Sequence, residues 1–178
     1  MQETYEAVWT NFVAVPVYDV SDTEGQELPS IGVHELTAQV KDYNKVLAVL
    51  KSASPVGVSF EHVEGGAHGY YSPLENRIVV DEGMSEAQTI KTLSHEIAHA
   101  ILHTEDEKNN TSREAREVEA ESVAYIVTKE LGIDSSDYSF GYVSTWADSG
   151  NIKEVRNYME NIRKTATSIL DKIEKGGN

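Results

Sequence analysis

Ser85-Glu86-Ala87-Gln88-Thr89-Ile90-Lys91-Thr92-Leu93-Ser94-His95-Glu96-Ile97-Ala98-His99-Ala100-Ile101-Leu102-His103 carries both a fold signal and a chemical one. Ser85 followed three residues later by Gln88 has capping-box spacing, which predicts a helix from here to about His103. At about 100° per residue, Ala87, Ile90, Leu93, Ile97, Ala98, Ile101 and Leu102 form one broad apolar stripe. His95 and His99 sit together on its flank. Positions i and i+4 share a helix face, so both imidazoles can reach one ion. Zinc suits such donors, because neutral imidazole is a borderline ligand and tetrahedral geometry is easily met. Glu96, next to the first histidine, is placed to take a proton from a metal-activated water. The plainer alternative is a pair of surface histidines beside a core helix.

A catalytic zinc needs a third protein ligand and an open fourth position. His103 continues the row, but three ligands in line along a helix cannot easily surround one ion. It reads instead as a helix-end residue near the C-terminal dipole. The acids Glu114, Glu117, Glu119 and Glu121 are better candidates. The spacing Thr111-Ser112-Arg113-Glu114 predicts a second helix, ending near Gly132. On it, Glu119 projects into a stripe made by Ala115, Ser122, Val123 and Ile126. A carboxylate aimed at a core costs several kcal/mol unless it is paired or bound to metal. Glu119 is therefore the expected third ligand, with a buried ion pair to Arg77, Arg116 or a lysine as the alternative. Glu117 and Glu121 project with Thr128 onto a polar face. They are expected in solvent, or fixing a ligand histidine through its other ring nitrogen.

Outward from this pair of helices, residues 12–20 read as a strand, with Pro16 favouring an edge. Residues 21–32 read as a loop. A helix is expected over Thr37–Lys51, then strands at 56–61, at Tyr70-Tyr71 and at 77–80. The stretch Gly69-Tyr70-Tyr71 is the candidate edge for holding an extended peptide by backbone pairing, with a plain structural hairpin as the equal alternative. The aromatics Tyr138, Phe140, Tyr142 and Trp146 read as core, although one hydroxyl there could polarise a substrate carbonyl. A final amphipathic helix is expected over about 152–173. Strands early and helices late give an α+β class, with an arm over 1–35 and a main domain over 36–178.

Composition narrows the function. The chain of 178 residues has a net charge of −15, which would repel a phosphate backbone, so nucleic acid is not an expected partner. There are no cysteines, which excludes disulfides and thiolate metal sites. No long apolar run suggests a membrane span and no leader is legible, so a cytoplasmic location is expected.

His95-Glu96-Ile97-Ala98-His99, then Leu102-His103 and Val118-Glu119-Ala120-Glu121-Ser122-Val123-Ala124, together resemble the ImmA/IrrE-like metallopeptidases. Among them the peptidase portion of ArdC-type antirestriction proteins of mobile elements is most similar. Supporting stretches are Val17-Tyr18-Asp19-Val20-Ser21, Gly69-Tyr70-Tyr71-Ser72, Asn76-Arg77-Ile78 and Tyr138-Ser139-Phe140. The resemblance implies a compact zincin-like (gluzincin) fold, one zinc ion and a glutamate third ligand, matched by motif to Glu119. This chain has Glu121 where relatives carry Asn or Asp, which leaves Glu121 open as the ligand instead. The implied activity is zinc-dependent hydrolysis of peptide bonds in a specific protein substrate. The single-stranded-DNA-binding domain of ArdC-type proteins is not legible here, so antirestriction activity is not carried over. A non-catalytic zinc-containing regulatory or binding module is the competing reading, but such a module would have no use for Glu96.

Overall fold

A computed structural model describes residues 36–104, 111–135 and 152–176. The expected arm over 1–35 and the aromatic stretch after residue 135 lie outside the described residues. The elements run α1 (Tyr43–Ala53), β1 (Gly57–Glu61), β2 (Gly69–Ser72), β3 (Arg77–Asp81), α2 (Glu86–Leu102), α3 (Arg113–Glu130) and α4 (Ile152–Gly176). The α+β class expected from the sequence is the class observed.

The sheet has three strands in the order β1-β3-β2. β1 lies parallel to β3, and β2 is antiparallel to it. The Ile78-Val79-Val80 run of β3 is buried, as befits a central strand covered on both faces. Ile78 and Val80 join Val58, Phe60 and Tyr71 on the face that packs against the helices, while Tyr70 is exposed. This is the two-residue alternation of a pleated strand. The β2–β3 turn closes with Ser72 Oγ accepting from Glu75 N–H at 3.2 Å and Asn76 at φ 52°. Asn tolerates that left-handed backbone better than most residues.

α2 is the axis of the domain. It packs on β2 and β3, on α1, on α3 and on α4. Ala87, Ile90, Leu93, Ile97 and Ala98 are fully buried, as the projected stripe requires. Its N-terminus forms where the capping signal put it, with Ser85 Oγ accepting from Gln88 N–H. Gln88 does not close the box. Its amide oxygen accepts from Leu36 N–H at 3.2 Å, while Glu86 accepts from Val40 N–H at 2.8 Å and Ser85 donates to the Leu36 carbonyl. The first turn of α2 thus holds residues 36–40 as a non-helical strap. That is why α1 begins at Tyr43 and not at Thr37 as expected. Asp42, at φ 55°, marks the break.

α3 is capped by Ser112, whose Oγ accepts from Ala115 N–H at 3.2 Å, one residue later than the sequence spacing suggested. It ends at Gly132, whose φ of 76° is the left-handed conformation a helix terminator commonly takes. Packing by α2 on one side and α4 on another buries α3 around most of its girth. A single-stripe projection therefore misplaces several residues. Glu121 and Thr128 are buried, whereas Ile126 is exposed. α4 buries Ile162, Ala166 and Ile169, and its Lys172 donates to the Ala53 carbonyl at 3.1 Å, closing the end of α1.

Leu93 sits at the centre of this packing with no exposed surface, and Leu74 is 92 % exposed in the β2–β3 turn. Leu93→Ala should cost about 2–5 kcal/mol, whereas Leu74→Ala should stay within about 0.5 kcal/mol. Urea denaturation of the two variants beside the wild type checks the contrast.

Candidate metal centre

The i, i+4 spacing on α2 brings the rings of His95 and His99 to a centroid separation of 4.7 Å, with their Nε2 atoms 3.0 Å apart. From α3, Glu117 Oε2 lies 3.4 Å from His95 Nε2 and 3.6 Å from His99 Nε2. These three donors form the cluster with metal-holding geometry among the described residues. Tetrahedral ligands about 2.0–2.1 Å from a zinc ion stand about 3.3 Å apart. The observed separations bracket that value, so the donor set fits a single divalent ion.

Glu119 is not in this cluster, contrary to the sequence expectation. Glu117 and Glu121 are four positions apart and share the face of α3 turned to α2. Glu119, two positions from each, is turned away from His95 and His99 and meets α2 only at its end, at His103. It is buried, as its place in the apolar stripe requires, but its Oε2 lies 3.1 Å from His103 Nε2, and its Oε1 accepts from Asn161 Nδ2 at 3.4 Å. Glu121 is no solvated acid. It pairs with buried Lys91 at 3.0 Å and stands 3.3 Å from His95 Nδ1. Its carboxylate thus stands behind His95 at contact distance, without a hydrogen bond to that Nδ1. His103 is the C-cap of α2 and is buried, with its Nδ1 2.9 Å from His99 Nδ1.

Electrostatics follow from this crowding. Burial opposes charge on His95, but the adjacent carboxylates of Glu117 and Glu121, helped by the charge of Glu96, raise its pKa to about 9. Burial lowers the pKa of His99, an effect that Glu117 only partly offsets. Hydrogen bonds from His95 and His99 hold the Glu117 carboxyl far below the usual carboxylate range. Burial pushes the Glu96 carboxyl up; the positive charge of His95 and a backbone hydrogen bond from Tyr71 work against that, and Glu117 adds to it. Burial likewise lowers the pKa of Lys91, against the attraction of Glu121.

β2 forms the wall facing these groups. No other described strand pairs with its outer edge. Asp81 N–H donates to the His68 carbonyl at 2.8 Å, so His68 and Tyr70 turn their backbone groups inward to β3. Gly69 and Tyr71 consequently turn theirs outward, and the Tyr71 N–H reaches Glu96. A cleft of about 430 Å³ runs between Gly69-Tyr70-Tyr71 and the His95, Glu96, His99 and Glu117 side chains, flanked by Arg113 and Arg116. Gly69 has a packing reason to be glycine. A Cβ there would come within 2.8 Å of the Val79 carbonyl and 2.9 Å of Thr92 Cγ2.

Residues 39–133, over half of the chain and spanning both helices of the site, match the IrrE N-terminal-like domain, peptidase M78. The chain belongs to the IrrE N-terminal-like family. The uncharacterized protein pXO2-81 of Bacillus anthracis is 27% identical over 184 residues, covering 92% of this chain and 31% of that protein. The Mn(II)-bound crystal structure of antirestriction protein ArdC from the R388 plasmid superimposes with a TM-score of 0.54 at 18% identity. It matches 79% of this chain and 55% of its own. The chain therefore spans about a third to a half of these relatives. At that identity the ArdC likeness establishes a shared fold, the metallopeptidase-like fold of the family. No described helix of this family member is long and apolar enough to cross a membrane.

The Lys91–Glu121 pair is almost wholly inaccessible, so removing one partner leaves the other's charge poorly compensated. Lys91→Met should destabilise the protein by about 3–5 kcal/mol. Adding Glu121→Gln should restore part of that loss, a non-additivity readable in a double-mutant cycle of melting curves.

Proposed function

We propose that this domain is a zinc-dependent endopeptidase in which His95, His99 and Glu117 hold the ion and Glu96 is the general base. The observation that carries the reading is the convergence of Glu117 Oε2 with both Nε2 atoms beside a buried glutamate and a strand edge that no other described strand covers. A divalent ion in that donor set supplies Lewis acidity, bringing the pKa of a water molecule down towards neutrality. Glu96 accepts the proton of the attacking water and passes it to the leaving amine. A carboxyl already raised by burial suits both halves of that transfer. The outward backbone groups of Gly69 and the outward carbonyl of Tyr71 pair with an extended substrate and hold its scissile bond along the cleft. A non-catalytic zinc module explains the three donors but leaves Glu96, 7 % exposed in the cleft wall, with only the Tyr71 N–H to hold.

The substrate in this proposal is a protein or peptide, met in the cytoplasm, and the chain's own acidity argues against nucleic acid. The plasmid origin of the ArdC structure supports a mobile-element setting. Antirestriction is the property of that protein and forms no part of the proposal.

Glu117→Ala should lose stoichiometric zinc, measured by elemental analysis after dialysis, whereas Glu96→Gln should retain it. Zinc-loaded wild type should cleave members of a degenerate peptide library, read by mass spectrometry. Glu96→Gln should be slower by about 10²–10⁴-fold. Equal cleavage by wild type and Glu96→Gln, or none by a fully zinc-loaded wild type, would overturn the peptidase assignment.

A further inference from the structure

Three polar side chains lie behind the proposed metal ligands with no part in the chemistry so far. His103 comes from the end of α2, Glu119 from α3 and Asn161 from α4. They form one continuous path. His99 Nδ1 is 2.9 Å from His103 Nδ1, His103 Nε2 is 3.1 Å from Glu119 Oε2, and Asn161 Nδ2 donates to Glu119 Oε1 at 3.4 Å. His103 and Glu119 are 4 % and 3 % exposed, so bulk water does not substitute for the contact between them.

We propose that His103, Glu119 and Asn161 form a positioning chain that fixes the tautomer and ring orientation of His99. The proposal rests on His99 being a ligand. If His99 Nε2 faces the ion, that nitrogen must be bare, and its proton sits on Nδ1. An Nδ1–H directed at His103 Nδ1 needs that nitrogen bare in turn. The remaining His103 proton sits on Nε2 and is donated to the Glu119 carboxylate. The whole chain has one consistent arrangement of protons, anchored at the far end by a buried acid whose second oxygen accepts a long contact from the exposed Asn161 of α4. A ligand imidazole ordinarily donates directly to a carboxylate or carbonyl. Here a second imidazole is interposed, because Glu119 lies across the α2–α3 interface at the level of His103, one turn beyond His99. The core-facing carboxylate that the sequence singles out is thereby given a role other than ligation.

The two ligand histidines are backed differently. His95 faces Glu121, which is shared with Lys91, and His99 is backed through His103 by Glu119. The second chain reaches into α4, so the last helix contributes to the site without touching it.

The test is zinc affinity of Glu119→Gln and His103→Gln against a competing chelator, with His99→Ala as the ligand-loss control. Glu119→Gln is nearly isosteric, and the melting temperature of each metal-free variant reports whether it folds. The expected result is zinc binding weakened about 10–100-fold in both variants. The cobalt(II)-substituted protein should keep a tetrahedral visible spectrum with shifted bands. Affinity equal to wild type would overturn the chain. Loss as complete as in His99→Ala would also overturn it, by making Glu119 a ligand. A wild type that binds no zinc would remove the metal reading itself, and the chain with it. Nitrogen-15 spectra of the histidine rings in the zinc-loaded wild type provide a second measurement that needs no variant. His99 protonated on Nδ1 and His103 on Nε2 are expected, and a His103 protonated on Nδ1 refutes the proposal.

Discussion

The packing of α3 along α2 is the constraint from which the rest of the site follows. Both helices carry charged and polar groups into their shared interface: Lys91, His95, His99 and His103 from one, and Glu117, Glu119 and Glu121 from the other. Burying ions is costly unless every charge finds a partner at close range. That requirement selects the register. A shift of α3 by one residue would turn Glu117 and Glu121 away from the imidazoles and Lys91, and would remove Glu119 from His103. The polar interface thus acts as a specificity device while the apolar stripe of α2 supplies the stabilising burial.

The same interface separates three glutamates into three tasks by environment alone. Glu117, part-exposed at the cleft, is held ionised by two imidazoles. Glu121 is paired with Lys91 and stands behind His95. Glu119 is held between His103 and Asn161. Glu96, on the other side of the row, is the acid whose carboxyl burial pushes upward. Environment thus sets two carboxyls of one cluster apart, one pushed up by burial and the other pushed down by its imidazole neighbours.

β2 complements this by being short, antiparallel and at the edge of the sheet among the described residues. The close approach of α2 to Gly69 brings the strand's outward backbone groups within reach of Glu96. The glycine and the helix bearing the imidazoles are therefore parts of one arrangement. A larger residue at position 69 would separate the edge from the groups it serves.

Particular residues show how much of this is legible in the sequence. Local rules suffice for α2, because capping at Ser85, a 3.6-residue apolar period and the His95/His99 pair all act within one helix. They also locate β2 and β3, the turn between them and the long last helix. The burial of Glu119 can be read from its place in an apolar stripe. Its partners cannot, because His103 and Asn161 reach it only through the packing of α2 and α4, with Asn161 42 residues further along the chain. Glu117 escapes as the third donor for the same reason. Helical projection of a helix covered on two sides gives no unique inward direction, so which acid meets the imidazoles is decided by the rotation of α3 against α2. The sequence by itself determined the two imidazoles, the glutamate beside them and the α+β class, because short-range geometry dictates them. The third donor and the polar chain behind His99 were decided only by tertiary structure, because they depend on how separate helices settle their buried charges.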